Sequence, residues 1–180
     1  MGKKVLVIAT SLRVHSNSDV LAKECVKGAM EAGHDVEFIS LKGKNIQYCL
    51  GCLHCLDCGY CVLKDDVEYI LKKVREAEVI VFASPLYYYG MSGQMKTLLD
   101  RLNPLYGSFY AFKDIYMIVT AADNSVDAFD KVYTSLEGWV DCFEGVSIKG
   151  MLKAGNHDDA GDVLHHPEVM HEAFLLGKGL

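Results

Sequence analysis

The sequence predicts a doubly wound α/β fold. One parallel sheet of five strands, in the order 2-1-3-4-5, carries helices on both faces, in a single domain over residues 1–180. Three observations lead there. Short apolar runs alternate with stretches of helical period, the pattern of strand–helix repeats around a parallel sheet. Val5–Ala9 and Val79–Ala83 contain only apolar residues, as strands covered on both faces require. Right-handed crossovers then leave few topologies.

The elements follow in order. Val5–Ala9 is the first strand. Asn17–Ala32 is a helix with Asn17 or Ser18 as cap, Gly33 as stop, and a core stripe of mostly small residues: Leu21, Cys25, Gly28, Ala29 and Ala32. Val36–Leu41 is the second strand. A stretch at about 42–64 shows no clear period and far exceeds the usual βα connection of about 2–6 residues, which marks it as a functional insertion. Asp65 or Asp66 caps a helix over Val67–Ala77, and Val79–Ala83 is the third strand, ended by Ser84-Pro85. Ser92–Leu102 is a helix with Met95, Leu98, Leu99 and Leu102 inward. Ile115–Val119 is the fourth strand, Ser125–Phe143 a helix with the only tryptophan, Val146–Leu152 the fifth strand and Pro167–Lys178 the closing helix.

Composition bounds the function. A 180-residue chain can bury roughly 70% of its unfolded surface, so no staple is needed for stability. The net charge of -6 argues against a nucleic-acid partner, which needs a basic patch. No apolar run approaches the ~18 residues of a membrane span, and the short run after Lys3-Lys4 does not form a signal peptide, so a cytoplasmic protein is expected. In a reducing compartment seven cysteines point to metal, cluster or redox use rather than disulfides.

In a doubly wound sheet the ligand lies at the carboxyl ends of the strands, where the order reverses. The loop after the first strand, Thr10–Ser18, lacks the G-x-G-x-x-G fingerprint but offers hydroxyls, an amide and Arg13 at a helix start, a set suited to a phosphate or to an ordinary capped turn. After the third strand come Pro85, three consecutive tyrosines and two glycines. Three tyrosines at a strand end cannot all be core, because their hydroxyls need partners. They suit a planar aromatic cofactor, a subunit contact, or both.

At this point the chain resembles a family. Thr10-Ser11-Leu12-Arg13 with Ser16-Asn17-Ser18 is similar to the phosphate loop of flavodoxin-like NAD(P)H-dependent FMN reductases. Ser84–Lys96 is similar to their isoalloxazine loop and the helix after it. Cys49, Gly51, Cys52, Cys55 and Cys61, followed by Lys64-Asp65-Asp66, resemble the iron–sulfur flavoprotein branch and its cluster-free relatives. Leu12 departs from the family's usual proline. The resemblance implies FMN, with Ser11, Arg13, Ser16, Asn17 and Ser18 around the phosphate. Along the ring it implies Pro85, Leu86, Tyr87, Tyr88, Tyr89 and Gly90, with Thr120, Ala121 and Ala122 as the remaining wall. It implies an oxidoreductase that takes electrons from NAD(P)H and passes them to a quinone, flavin, nitro or protein acceptor, with flavin-centred chemistry and no catalytic side chain. A homodimer or homotetramer is expected, because an FMN edge in so small a domain needs cover.

Five cysteines, Cys49, Cys52, Cys55, Cys58 and Cys61, recur every third residue. On a helix each would lag the last by about 60°, and Gly51 and Gly59 disfavour a regular helix, so the stretch reads as a loop. Cys49, Cys52, Cys55 and Cys61 match C-x2-C-x2-C-x5-C, which resembles the compact [4Fe–4S] motif of iron–sulfur flavoproteins; zinc or no metal are the other readings. The cluster reading gives an FMN and [4Fe–4S] electron carrier, and the zinc or bare-thiol reading a non-enzymatic module. Cys25 and Cys142 read as small core residues. His157, Asp158, Asp159, His165, His166 and His171 follow no standard ligand spacing and read as a solvated polar loop.

Overall fold

The computed structural model describes residues 2–180, with Met1 outside the described residues and Val126 described by its backbone alone. Five long parallel strands form the sheet: β1 (Lys4–Ala9), β2 (Asp35–Ser40), β3 (Val79–Tyr87), β5 (Asp114–Thr120) and β6 (Ser147–Ala154). Their order is β2-β1-β3-β5-β6. A two-residue strand, β4 (Gly90–Met91), pairs antiparallel with the end of β3 and shifts the numbering of the last two long strands; the expected path across the sheet is otherwise kept.

Each strand feeds two cores by alternation. Leu6, Ile8, Ile80, Phe82, Ile115, Met117 and Val119 face helices α3 (Val67–Glu76), α4 (Gly93–Arg101) and α5 (Asp130–Val140). Val5, Val7, Val79, Val81 and Ile118 face α1 (Asn17–Glu31) and α6 (Pro167–Lys178). Helices α1 and α6 cross backbone to backbone. A Cβ on Gly28 would come within 1.9 Å of the Phe174 carbonyl oxygen, and one on Gly177 within 1.9 Å of the Cys25 carbonyl oxygen. Only glycine allows this approach, and it brings the segment preceding α6 over the start of α1.

Several boundaries differ from expectation, each for a local reason. The cap of α1 is Ser16, whose Oγ accepts from the Asp19 N–H at 3.2 Å, rather than Asn17 or Ser18. Strand β3 runs through Ser84-Pro85 to Tyr87. The Ala83 carbonyl accepts from the Thr10 N–H on the β1 side. Pro85, two residues on, faces that same side where β1 has already ended, so its missing donor costs no ladder bond. The cysteine stretch contains a five-residue helix, α2 (His54–Cys58), entered at Leu53 and left at Gly59, both with positive φ. The expected helix over Ser125–Phe143 resolves into a 3-10 turn at Val126–Phe129 and the shorter α5. Its end at Val140 leaves Cys142 exposed rather than in the core, whereas Cys25 is fully buried and burial pushes its thiol up to about 12.

Candidate functional site

The carboxyl ends of β1, β3, β5 and β6 meet along one edge. Three loops expected there do converge. Ser11, Arg13, Ser16, Asn17, Pro85, Leu86, Tyr87, Thr120, Ala121 and Ala122 line one groove of about 160 Å³. Ser11, Ser16, Asn17 and Thr120 are buried, so their polar groups face the groove or each other rather than bulk water. The 15-residue α1 aims its N-terminus at the same place, where the helix dipole favours an anion.

Hydrogen bonds hold the loops in register. Thr10 Oγ1 donates to the Ala83 carbonyl at 3.0 Å and lies 3.0 Å from Ser92 Oγ. The Ser92 N–H donates to Ser84 Oγ at 3.0 Å, and Ser92 Oγ accepts from the Met95 N–H at 3.2 Å, capping α4. This buried hydroxyl chain ties the first loop to the third, and sequence reasoning missed its role. A cap preceding an amphipathic helix was the available signal for Ser92.

The remaining four expected residues do not line the groove. Ser18 is buried beneath Ser16, its Oγ 3.5 Å from Ser16 Oγ. Tyr88, Tyr89 and Gly90 form the tip of the β3–β4 hairpin. Tyr87 pairs with Gly90, leaving Tyr88 (φ 50°) and Tyr89 (φ 63°) as the two turn residues, both left-handed. Such turns normally take Asn-Gly, so two tyrosines here store backbone strain. Tyr88 is fully exposed. Tyr89 turns aside: its hydroxyl donates to Asp123 Oδ2 at 3.1 Å, which pushes the phenol up from its ordinary value, and Lys131 Nζ lies 5.3 Å from the ring centroid.

Two groove residues were missed, His157 and Asp158. They follow β6, whose carboxyl end opens on the same edge. The Asn17 side chain faces them rather than open space: Nδ2 donates to the Asp159 carbonyl at 2.8 Å and the His157 carbonyl at 3.3 Å, and Oδ1 accepts from the Val163 N–H. Arg13 Nη1 donates to the Asp158 carbonyl at 2.6 Å, at the exposed rim.

A second cavity, about 400 Å³, lies elsewhere, under the cysteine loop. Cys49, Cys52, Cys55 and Cys61 all line it, with Leu99, Trp139, Phe143 and the exposed Cys142 opposite. Cys58 does not: its thiol donates to the His54 carbonyl at 3.1 Å. Asn103 Nδ2 donates to Cys55 Sγ at 3.1 Å and the Gly51 N–H to Cys49 Sγ at 3.5 Å. The loop is anchored at its base by Arg101 and Asp65, both side chains fully buried. Their bidentate bonds run 2.6 and 3.0 Å, and Arg101 also donates to the Gln47 carbonyl at 2.7 Å. Burial alone would raise the Asp65 carboxyl; bonds from Arg101 and from the Gln47 and Val67 N–H groups outweigh it and hold the carboxyl below its ordinary value.

Comparison with known proteins places the chain in a family. The family described as NADPH-dependent FMN reductase matches residues 3–137. An iron–sulfur flavoprotein of Methanocaldococcus jannaschii is 43% identical over 102 residues, 57% of this chain and 53% of that one. The match likewise spans 51% of an Archaeoglobus fulgidus iron–sulfur flavoprotein, so the chain spans about half the length of these relatives. A Bacillus subtilis protein provisionally named an NAD(P)H-dependent FMN-containing oxidoreductase is 28% identical over 97% of both chains. The solved NAD(P)H:quinone oxidoreductase of Methanothermobacter marburgensis superposes with a TM-score of 0.78 over 99% of this chain and 96% of that one. At 18% identity that likeness is one of fold.

Proposed function

This chain belongs to the NADPH-dependent FMN reductase family, and from that premise we propose that it is an FMN oxidoreductase. It draws electrons from NAD(P)H and delivers them to a quinone, flavin, nitro compound or protein. The observation that carries the reading is the groove itself, where ten of the fourteen residues expected around FMN converge from three separate loops.

The donor set fits the cofactor. Ser11, Ser16 and the first N–H groups of α1 offer hydrogen bonds to a phosphate, and Arg13 adds charge at the rim. Asn17 acts by fixing the His157–Asp159 backbone as the groove's outer wall, since its side chain is already engaged there. Pro85, Leu86 and Tyr87 offer a flat, partly apolar strand end for a ring, with Thr120–Ala122 opposite. When bound, FMN supplies hydride acceptance and onward electron transfer; the protein supplies position and electrostatics. The groove is small and Tyr88 stands free of its own chain, which supports a homo-oligomer that covers this edge.

Anaerobic addition of NADH or NADPH to flavin-loaded protein is expected to bleach the flavin bands. Flavin that stays oxidised under excess of both nucleotides overturns the reductase role.

A second reading has its own support: an electron carrier that holds a [4Fe–4S] cluster beside FMN. Four cysteines of the compact motif line one basin while Cys58 is turned away. The set fits a cluster, with Cys49, Cys52, Cys55 and Cys61 as ligands and the Asn103 amide bonding one sulfur. The cluster would supply one-electron transfer. Anaerobically purified protein is then expected to contain iron and acid-labile sulfide, lost in Cys55→Ser and kept in Cys58→Ser. Iron-free protein leaves the first reading alone.

A further inference from the structure

The segment between β6 and α6 is exposed at Asp158, Asp159 and His165, as a solvated polar loop requires, but not at His157. The His157 side chain is 7% exposed. Its backbone is held at both ends, the N–H donating to the Ala121 carbonyl at 2.9 Å and the carbonyl accepting from Asn17. A 3-10 turn over Asp162–His165 and Pro167 at the start of α6 fix the other end.

These constraints bring three side chains together. His157 Nδ1 lies 3.3 Å from Asp162 Oδ2, and His166 Nε2 lies 3.7 Å from Asp162 Oδ1. The two imidazoles pack edge to face at 4.7 Å. One ligand atom from each of the three falls within 4.8 Å of the others. Zinc bonds of about 2.0–2.2 Å in a tetrahedron separate ligand atoms by roughly 3.3–3.5 Å. The two Asp162 distances, each to a different carboxylate oxygen, are of the same order, and 3.7 Å is long for a hydrogen bond.

An independent contact points the same way. The other nitrogen of His166, Nδ1, lies 3.3 Å from Glu168 Oε1. A carboxylate on the far nitrogen of an imidazole fixes the tautomer that leaves Nε2 free as a ligand, and it is the usual outer partner of a metal-bound histidine. Glu168 also lies in the first turn of α6, where its charge offsets the positive helix end that would oppose a cation.

We propose that His157, Asp162 and His166 form a site for one divalent transition-metal ion, with Glu168 orienting His166. The fourth position is left to water. The donors are imidazole and carboxylate, which suit zinc and its first-row neighbours and set the site apart from the thiols of residues 49–61. The ion would clamp the His157 segment, which forms the outer wall of the groove, to the start of α6.

The test uses the full chain with its flavin, stripped by chelator and titrated with zinc against a chromophoric competitor. A second preparation has the five loop cysteines changed to serine. One saturable zinc per chain is expected in both, abolished by Asp162→Asn. Glu168→Gln, on an exposed side chain that leaves folding undisturbed, is expected to weaken binding about 10–100-fold. Crystals soaked in zinc should show an anomalous peak between the three side chains. Zinc held only by the cysteines, or an adventitious ion only, bound equally by Asp162→Asn, overturns the proposal.

Discussion

The groove at the sheet edge and the basin under the cysteine loop are held by different physics. The groove's polar groups stand on the ends of four strands and the first turn of a 15-residue helix, and buried hydroxyls lock one loop to the next. Preorganisation there comes from the sheet, which exists for other reasons. The basin is roofed by residues 48–54, all exposed, around a five-residue helix with no buried residue. Its position depends on the base of the loop, where Arg101 grips Asp65 and Gln47, and Asp66 Oδ2 accepts from the Asn45 N–H at 2.7 Å. A binding site can thus be built into a fold or tethered to it by one buried ion pair. Helix α4 spans the two, starting at the Ser92 cap and ending at the Arg101 anchor; nine residues at 1.5 Å each cover roughly 14 Å.

The largest break is expected at the tether. Arg101→Leu leaves the Asp65 carboxylate buried without its partner, which costs about 3–5 kcal/mol. Urea unfolding measures the loss, and limited proteolysis at residues 48–60 should accelerate with it. A variant as stable as the parent would mean the loop is held elsewhere. The same pair sets the acid limb. Because the folded Asp65 carboxyl titrates below its ordinary value, its contribution is complete above the unfolded pKa of about 3.9 and is lost as pH falls from there through the folded value. Arg101→Leu should flatten that limb, and an unchanged slope between pH 5 and 2 would assign acid sensitivity to other carboxylates.

Next in size is the groove. Arg13→Ala should weaken FMN by about 1–3 kcal/mol, the scale of a hydrogen bond to a charged group, with folding stability nearly unchanged because Arg13 is exposed. Fluorescence titration of FMN reads the difference. Equal affinity removes Arg13 from the phosphate site and leaves the helix end to hold the anion alone.

The smallest effect is expected at the hairpin tip. Tyr88→Gly relieves a left-handed tyrosine that packs on nothing in its own chain, and a gain of up to about 1 kcal/mol in thermal unfolding is expected. A loss instead would show that the Tyr88 ring is already in use, as at a subunit contact.

Much of the groove was legible because strand ends are legible. The apolar run Val5–Ala9 and the hydroxyl-rich Thr10–Ser18 are adjacent in sequence, so the position of the first loop followed from the strand before it. The same holds for Pro85–Tyr87 and Thr120–Ala122. His157 was not legible as a wall residue, because its place depends on Gly28 and Gly177 letting α6 close on α1. The cysteine spacing announced a cluster of thiols, but not that Cys58 faces away; that depends on α2, too short to register as a period.

Local chemistry along the chain therefore determined the five long strands, most of the helices and the set of residues offered at the sheet's carboxyl edge, while the order of the sheet followed from the handedness of the crossovers. The strands and helices rest on neighbours one to four residues apart, which any reading of the chain contains. Only the tertiary structure decided which of the offered groups are spent on each other. Asn17 on the His157 wall, Tyr89 on Asp123, Arg101 on Asp65 and His166 on Asp162 and Glu168 are choices of this kind. Each polar group takes its nearest partner in space, and except at the last of these that partner lies 34 to 142 residues away in the chain.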